Sequence, residues 1–175
     1  ELLQALVRID TRNPPGHETL AAEYLQSLLD EADIPSKILS LDPTRANLVA
    51  RLVGDGSKRP ILLMAHTDVV GIERDDWTVD PFGGVIRDGH LWGRGASDDK
   101  GQLAAMVQVM LLLHRHQVPL ARDVILLAES GEEGTTEVGI DFMVARHWNE
   151  IDAEFALNEG GRVSAPDGTV ETVTI

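Results

Sequence analysis

Val124-Ile125-Leu126-Leu127-Ala128 is an unbroken apolar run. A short run without polar alternation predicts a strand covered on both faces, the central parallel strand of a layered sheet. Working outward, Lys100 to His116 reads as a long helix. Leu103, Met106, Val107 and Met110 mark one side of it, but Val109, Leu111 and Leu112 make it apolar on most sides, which predicts burial. Upstream, Lys37 to Leu41, Asn47 to Val53 and Ile61 to Ala65 are strand-like, with a turn at Gly54 to Ser57. Residues 71 to 84 read as loop, and Val85 to Trp92 as a hairpin turning at Asp88-Gly89. Downstream come a short helix over Val138 to Trp148 and a short buried strand over Phe155 to Leu157. At the start, Leu2, Ala5, Leu6 and Ile9 have helical spacing until Asn13-Pro14-Pro15-Gly16 ends the pattern. A second helix follows from Glu18 to Ala32, with Ala21, Tyr24, Leu25 and Leu28 as its apolar stripe. Strands alternating with helices predict an α/β layered fold.

Composition narrows the function. The 175 residues carry 29 acidic and 15 basic side chains, a formal net charge of −14, and no Cys. The acidic balance speaks against nucleic acid as a partner, which calls for a basic face. No apolar run approaches the roughly 18 residues that span a bilayer, so no membrane partner is expected. Without Cys there is neither a disulfide framework nor a thiolate metal site, and a cytoplasmic location is favoured. Glu1 lies inside a helical pattern and Thr172-Val173-Thr174-Ile175 inside a strand-like run, so both ends are expected to be cut.

The chemistry gathers where the buried strands end. His66-Thr67-Asp68 follows the run at Ile61, Glu132-Glu133 follows the run at Val124, Glu159 follows the run at Phe155, and Asp98-Asp99 precedes the long helix. Open α/β sheets bind ligands at the carboxyl ends of their strands, so these clusters are expected to converge. Imidazole with carboxylates and no thiolate suits a catalytic zinc or another divalent first-row metal. The His66-x-Asp68 spacing lets Asp68 stand behind His66 and fix its tautomer. One carboxylate shared between two metals would make a two-metal hydrolase site. In a turn, Glu132 and Glu133 can divide the roles of general base and ligand. The glycines of Gly93 to Gly101 do not make a phosphate loop. The Gly-Lys-Ser/Thr ending and the Gly-x-Gly-x-x-Gly spacing are missing, and Asp98-Asp99 would repel phosphate.

Five motifs then occur in a recognisable order: Leu62 to Val70 around His66 and Asp68, Trp77 to Phe82, Gly93 to Gly101, Glu132-Glu133-Gly134 and Asn158-Glu159-Gly160. Together they resemble the zinc metallopeptidase superfamily of aminoacylase, acetylornithine deacetylase, succinyl-diaminopimelate desuccinylase, glutamate carboxypeptidase and related dipeptidases. The resemblance implies a three-layer α-β-α fold with a mostly parallel mixed sheet, truncated here. It implies His66 as a ligand of the first metal and Asp68 as the aspartate orienting it. Asp98 would be the bridging carboxylate, with a cis peptide to Asp99. Glu132 would be the general acid/base, Glu133 the carboxylate of the second metal, and Glu159 the remaining ligand of the first. Two zinc ions per complete catalytic domain are implied, with cobalt or manganese as alternatives. The substrate would be a small peptide or an N-acyl amino acid.

Members of that family are about twice this length or more. The resemblance therefore implies that residues 1–175 are the N-terminal part of the catalytic metal-binding domain. The lid and dimerisation domain and the C-terminal part of the catalytic domain lie elsewhere, along with the second metal's His and the contacts of a homodimer. A chain of this extent is expected to bind about one metal, to be inactive alone and to associate through an uncovered sheet edge. His17, His90, His114, His116 and His147 match no ligand position and read as surface or helix-end residues. Two other readings compete: a non-catalytic metal-binding module, which would not need Glu132, and a co-catalytic zinc aminopeptidase, which shares the His-x-Asp and Glu-Glu elements.

Overall fold

The computed structural model describes residues 1–160 and the short strands Arg162–Ser164 and Thr172–Thr174. In chain order the elements are α1 (Leu2–Arg8), α2 (Glu18–Asp30), β1 (Ser36–Asp42), β2 (Arg45–Leu52), β3 (Ile61–His66), β4 (Val85–Arg87), β5 (His90–Trp92), α3 (Lys100–Arg115), β6 (Val124–Glu129), α4 (Ile140–Arg146), α5 (Trp148–Ile151), β7 (Phe155–Leu157), β8 (Arg162–Ser164) and β9 (Thr172–Thr174).

β6 lies in the middle of a sheet ordered β1-β2-β6-β3-β7, and all six of its residues are buried. It runs parallel to β3 and antiparallel to β2. β7 is parallel to β3 and β1 antiparallel to β2, so four of the five strands point one way and β2 alone runs back. Strand alternation divides the side chains between two cores. Leu48 and Ala50 of β2, Leu63 and Ala65 of β3, and Val124, Leu126 and Ala128 of β6 pack with residues of α1, α2 and α3. Val49, Leu62, Ile125 and Leu127 face the other way, onto Phe142 and Met143 of α4 and Ile151 of α5. A strand with a core on each face has no use for polar alternation, which is why the β6 sequence shows none. The result is the expected three-layer α/β arrangement with a mixed, mostly parallel sheet.

The hairpin forms as expected. Asp88 and Gly89 both take positive φ, 54° and 76°, the backbone that a two-residue turn between antiparallel strands requires.

Four local expectations are corrected. The strand at Phe155 is not buried. β7 pairs only with β3 among the described residues, and Phe155 and Leu157 are more than half exposed. α3 is not covered on all sides: Leu103, Ala104, Val107 and Met110 are buried, whereas Val109 and Leu112 face outward because only the sheet-side layer packs on it. The buried stripe of α2 is Ala21, Ala22, Leu25 and Leu29, a slight rotation that leaves Tyr24 and Leu28 at the boundary. The helix expected over Val138 to Trp148 is split into α4 and α5, because His147 leaves helical backbone at φ −133°. No helix among the described residues is long and apolar enough to cross a membrane.

Sheet register places the strand ends together. His66 pairs with Glu129 across β3 and β6, and Leu63 pairs with Leu157 across β3 and β7. Glu159, two residues beyond Leu157, therefore comes within one residue of the level of His66, three residues beyond Leu63.

Candidate metal centre

His66 ends β3 almost fully buried, with its two ring nitrogens facing different partners. Nδ1 lies 2.9 Å from the Asp68 carbonyl oxygen and 3.4 Å from Asp68 Oδ1. A carbonyl can only accept, so Nδ1 carries the hydrogen, which fixes the tautomer and turns Nε2 toward the carboxylates. Nε2 is 3.0 Å from Asp98 Oδ1 and 3.2 Å from Glu159 Oε1. Burial alone would lower the His66 pKa, but the bonds to Asp68 and Asp98 outweigh it and push it up to about 10. The ring nitrogen between two carboxylate oxygens calls for a positive charge, whether a proton or a metal ion.

Asp68 is fully buried, and four donors surround its carboxylate. Oδ1 accepts from the Glu132 N–H at 3.1 Å and faces His66 Nδ1, while Oδ2 accepts from the Glu133 N–H at 3.0 Å and from Asn13 Nδ2 at 2.9 Å. Burial pushes its pKa up. The bonds from His66, Asn13 and the Glu133 N–H more than reverse this and hold it below the usual carboxylate range.

Asp98 and Asp99 are joined by a cis peptide, the bond that the resemblance implies. Their side chains diverge: Asp98 is exposed yet touches His66, whereas Asp99 is 2% exposed. Ligand atoms of His66, Asp99 and Glu159 lie within 4.8 Å of one another, as do those of His66, Glu132 and Glu133. Burial is the main reason that Asp99 is raised to about 6 and Glu159 to about 7, and neighbouring carboxylates add to both. Glu133 is also raised, first by burial and then by Asp98, Glu132 and Asp68. This acidic cluster would disfavour its own charge unless cations joined it. Imidazole nitrogen with several carboxylate oxygens is a donor set that suits zinc, cobalt or manganese.

All six residues named from the sequence thus meet at the carboxyl ends of β3, β6 and β7. Sequence reasoning assigned no ligand role to Asp99 and passed over Glu129. Glu129 is buried beside His66, its Oε2 has no hydrogen-bond partner, and burial raises its pKa to about 7. A carboxylate closing a buried apolar strand was the available signal for it. The remaining histidines lie apart from these groups: His90 Nδ1 bonds the Asp88 carbonyl, and His147 meets the Phe142 ring edge-on at 4.8 Å.

Residues 62–174 match the family described as Peptidase family M20/M25/M40. A Staphylococcus epidermidis protein described as "Probable succinyl-diaminopimelate desuccinylase" is 44% identical over 134 residues, covering 75% of this chain and 32% of that protein. The M20 family metallo-carboxypeptidase Sso-CP2 from Sulfolobus solfataricus shares the fold at TM-score 0.79 and 22% identity, over 92% of this chain and 37% of that one. The Bacillus subtilis YXEP protein, a dinuclear metal binding peptidase from the M20 family, does so at TM-score 0.63 and 18% identity, over 93% of this chain and 42% of that one. The chain spans about a third of the length of the curated relatives it matches.

Proposed function

Since the chain belongs to peptidase family M20/M25/M40, we propose that it is the metal-binding part of an enzyme that hydrolyses an amide bond, in an N-acyl amino acid or at a peptide end. The observation that carries this reading is the convergence of Asp98, Asp99, Glu132, Glu133 and Glu159 around one buried histidine. The desuccinylase and carboxypeptidase relatives support the choice of bond.

In this reading His66, Asp98 and Glu159 hold one zinc, while Asp98 and Glu133 contribute to a second. Cobalt or manganese could replace zinc. The dinuclear neighbour supports the count of two. The greater length of the relatives supports placing a further ligand, the lid and the dimer contacts outside residues 1–175. When bound, the metals supply Lewis-acid polarisation of the amide carbonyl and of water. The protein's own groups do the rest. Asp68 holds the His66 Nδ1 hydrogen, so that Nε2 presents a lone pair. Glu132 is exposed, and its carboxylate lies beside His66 and Glu133. Its carboxylate takes a proton from the attacking water and returns it to the leaving nitrogen, so acid and base work are done by one group.

The test is Glu132→Gln in the full-length protein. The expected result is a loss of about 10²–10⁴-fold in kcat with metal content unchanged. Turnover near the wild-type level with metals bound would overturn the assignment. A panel of N-acyl amino acids, dipeptides and free-amine substrates would fix the substrate class.

A further inference from the structure

The turn carrying Glu132 and Glu133 is fastened behind the metal centre by groups that touch no candidate ligand atom. At its start, the Ser130 N–H donates to Asn47 Oδ1 at 3.0 Å; at its end, Asn47 Nδ2 donates to the Val138 carbonyl at 2.8 Å. Between them the Thr135 N–H closes the turn onto the Gly131 carbonyl at 2.9 Å. The Thr135 hydroxyl oxygen is a junction. It accepts from Asn13 Nδ2 at 2.8 Å and from Arg45 Nη2 at 2.8 Å, which fills both of its lone pairs.

Each donor leads to a different anchor. Asn13 uses the same amide nitrogen to reach Asp68 Oδ2, and its backbone N–H donates to the Val69 carbonyl at 2.8 Å, so it is fixed to the segment just beyond His66. Arg45 is held by Glu18 through paired bonds of 2.7 and 2.6 Å, with both side chains buried. Gly16 lies so close that a Cβ there would come 2.0 Å from Arg45 Nε, and its φ of +85° also disfavours any other residue. The guanidinium therefore has little freedom to move.

We propose that Thr135 is a positioning residue. Its hydroxyl oxygen, shared by Asn13 and Arg45, holds the Glu132-Glu133 turn at the distance from His66 that a metal site requires. The inference rests on the metal-binding reading above and deepens it. Asp68 fixes the ring from behind and receives the two backbone N–H groups of the turn. Asn13 and Thr135 tie Asp68 to the far side of that turn, and Arg45 with Glu18 supplies the rigid base. Groups that orient metal ligands in this way typically contribute about 10–100-fold to metal affinity.

The experiment uses the full-length protein and Co²⁺ alone as the probe. Affinity is read by chelator competition, and ligand geometry by the visible absorption of bound Co²⁺. Thr135→Val keeps the shape and removes the acceptor, and the expected result is about 10–100-fold weaker binding with an altered spectrum. Thr135→Ser restores the oxygen and should return affinity to within about threefold, with the wild-type spectrum. Asn13→Ala cuts the link at its other end while leaving Arg45 paired with Glu18. It should show the same loss as Thr135→Val, and it keeps the test open should that variant fail to fold. Wild-type affinity and spectrum in both Thr135→Val and Asn13→Ala would overturn the proposal, as would a Thr135→Ser protein no better than Thr135→Val. Failure of the wild type to bind Co²⁺ would instead overturn the metal-binding reading, and this inference with it.

Discussion

Arg45→Met should destabilise the protein far more than loss of an exposed arginine would. The Arg45 side chain is 8% exposed and that of Glu18 is fully buried, and the pair is joined at 2.6 Å. Burial opposes the charge on Arg45, but the hydrogen bond and attraction of Glu18 restore it and raise its pKa. Removing the guanidinium leaves the Glu18 carboxylate buried without its bonded cation, and breaking a buried pair from one side costs about 3–5 kcal/mol. Each kcal/mol moves the melting temperature of a chain this size by about 2–4 °C, so a fall of about 10 °C is expected. Glu18→Gln with Arg45→Met removes both charges and keeps the volumes close. Replacing a buried pair with neutral groups is often nearly neutral, so the double variant should recover at least half of the loss. The assay is urea unfolding of metal-free protein for the wild type, both single variants and the double, analysed as a cycle with an expected coupling of about 2 kcal/mol. A cost for Arg45→Met below about 1 kcal/mol, or a double variant as unstable as the summed singles, would refute the reasoning.

Two further outcomes are expected. Zinc at about 100 times its dissociation constant should stabilise the protein by about 2.7 kcal/mol and raise its melting temperature by about 5–10 °C, with a chelator reversing the shift; a melt insensitive to zinc, cobalt and manganese would contradict the metal centre. Burial pushes the Asp123 pKa up, but the Gly54 N–H and the Arg51 guanidinium outweigh it and hold it below its usual value. A lowered folded-state pKa contributes stability above the unfolded pKa of about 3.9 and loses it as pH falls through the folded value. Asp123→Asn should therefore be less stable than wild type by about 1 kcal/mol at pH 6, with the gap closing below about pH 4 in pH-dependent urea midpoints; a constant gap would count against the charge argument.

The parts of the fold legible in the sequence are those set by local pattern. β6 announces itself because a strand between two cores needs apolar residues at every position, and Asp88-Gly89 does so because few pairs accept two positive φ angles. The candidate site residues were legible because most of them follow such strands, and Asp98 because it leads into the long helix. What could not be read depends on neighbours. β7 is as apolar as a buried strand, yet its exposure is decided by what pairs with it, and the outward face of α3 is decided by which layer covers it. Asp99 and Asp98 are adjacent acids, and only the path of the backbone sends one inward and the other out. Asn13, Arg45 and Thr135 are 122 residues apart at the extremes, and no spacing rule links a polar network assembled from three separate turns and strands.

The alternation of core residues along β3 and β6 has an effect on the acids at their ends. A slip of β3 by one residue against its neighbours would send Leu62 to the helices that receive Leu63 and Leu126, and would carry His66 away from Glu129 and Glu159. A mispaired sheet would thus fail to gather the carboxylates. Metal ions arriving during folding would capture the correctly aligned chain in preference to its off-register competitors. Binding at the proposed site would then act as a check on strand alignment, exerted from the tip of the sheet on apolar side chains that never meet the ion.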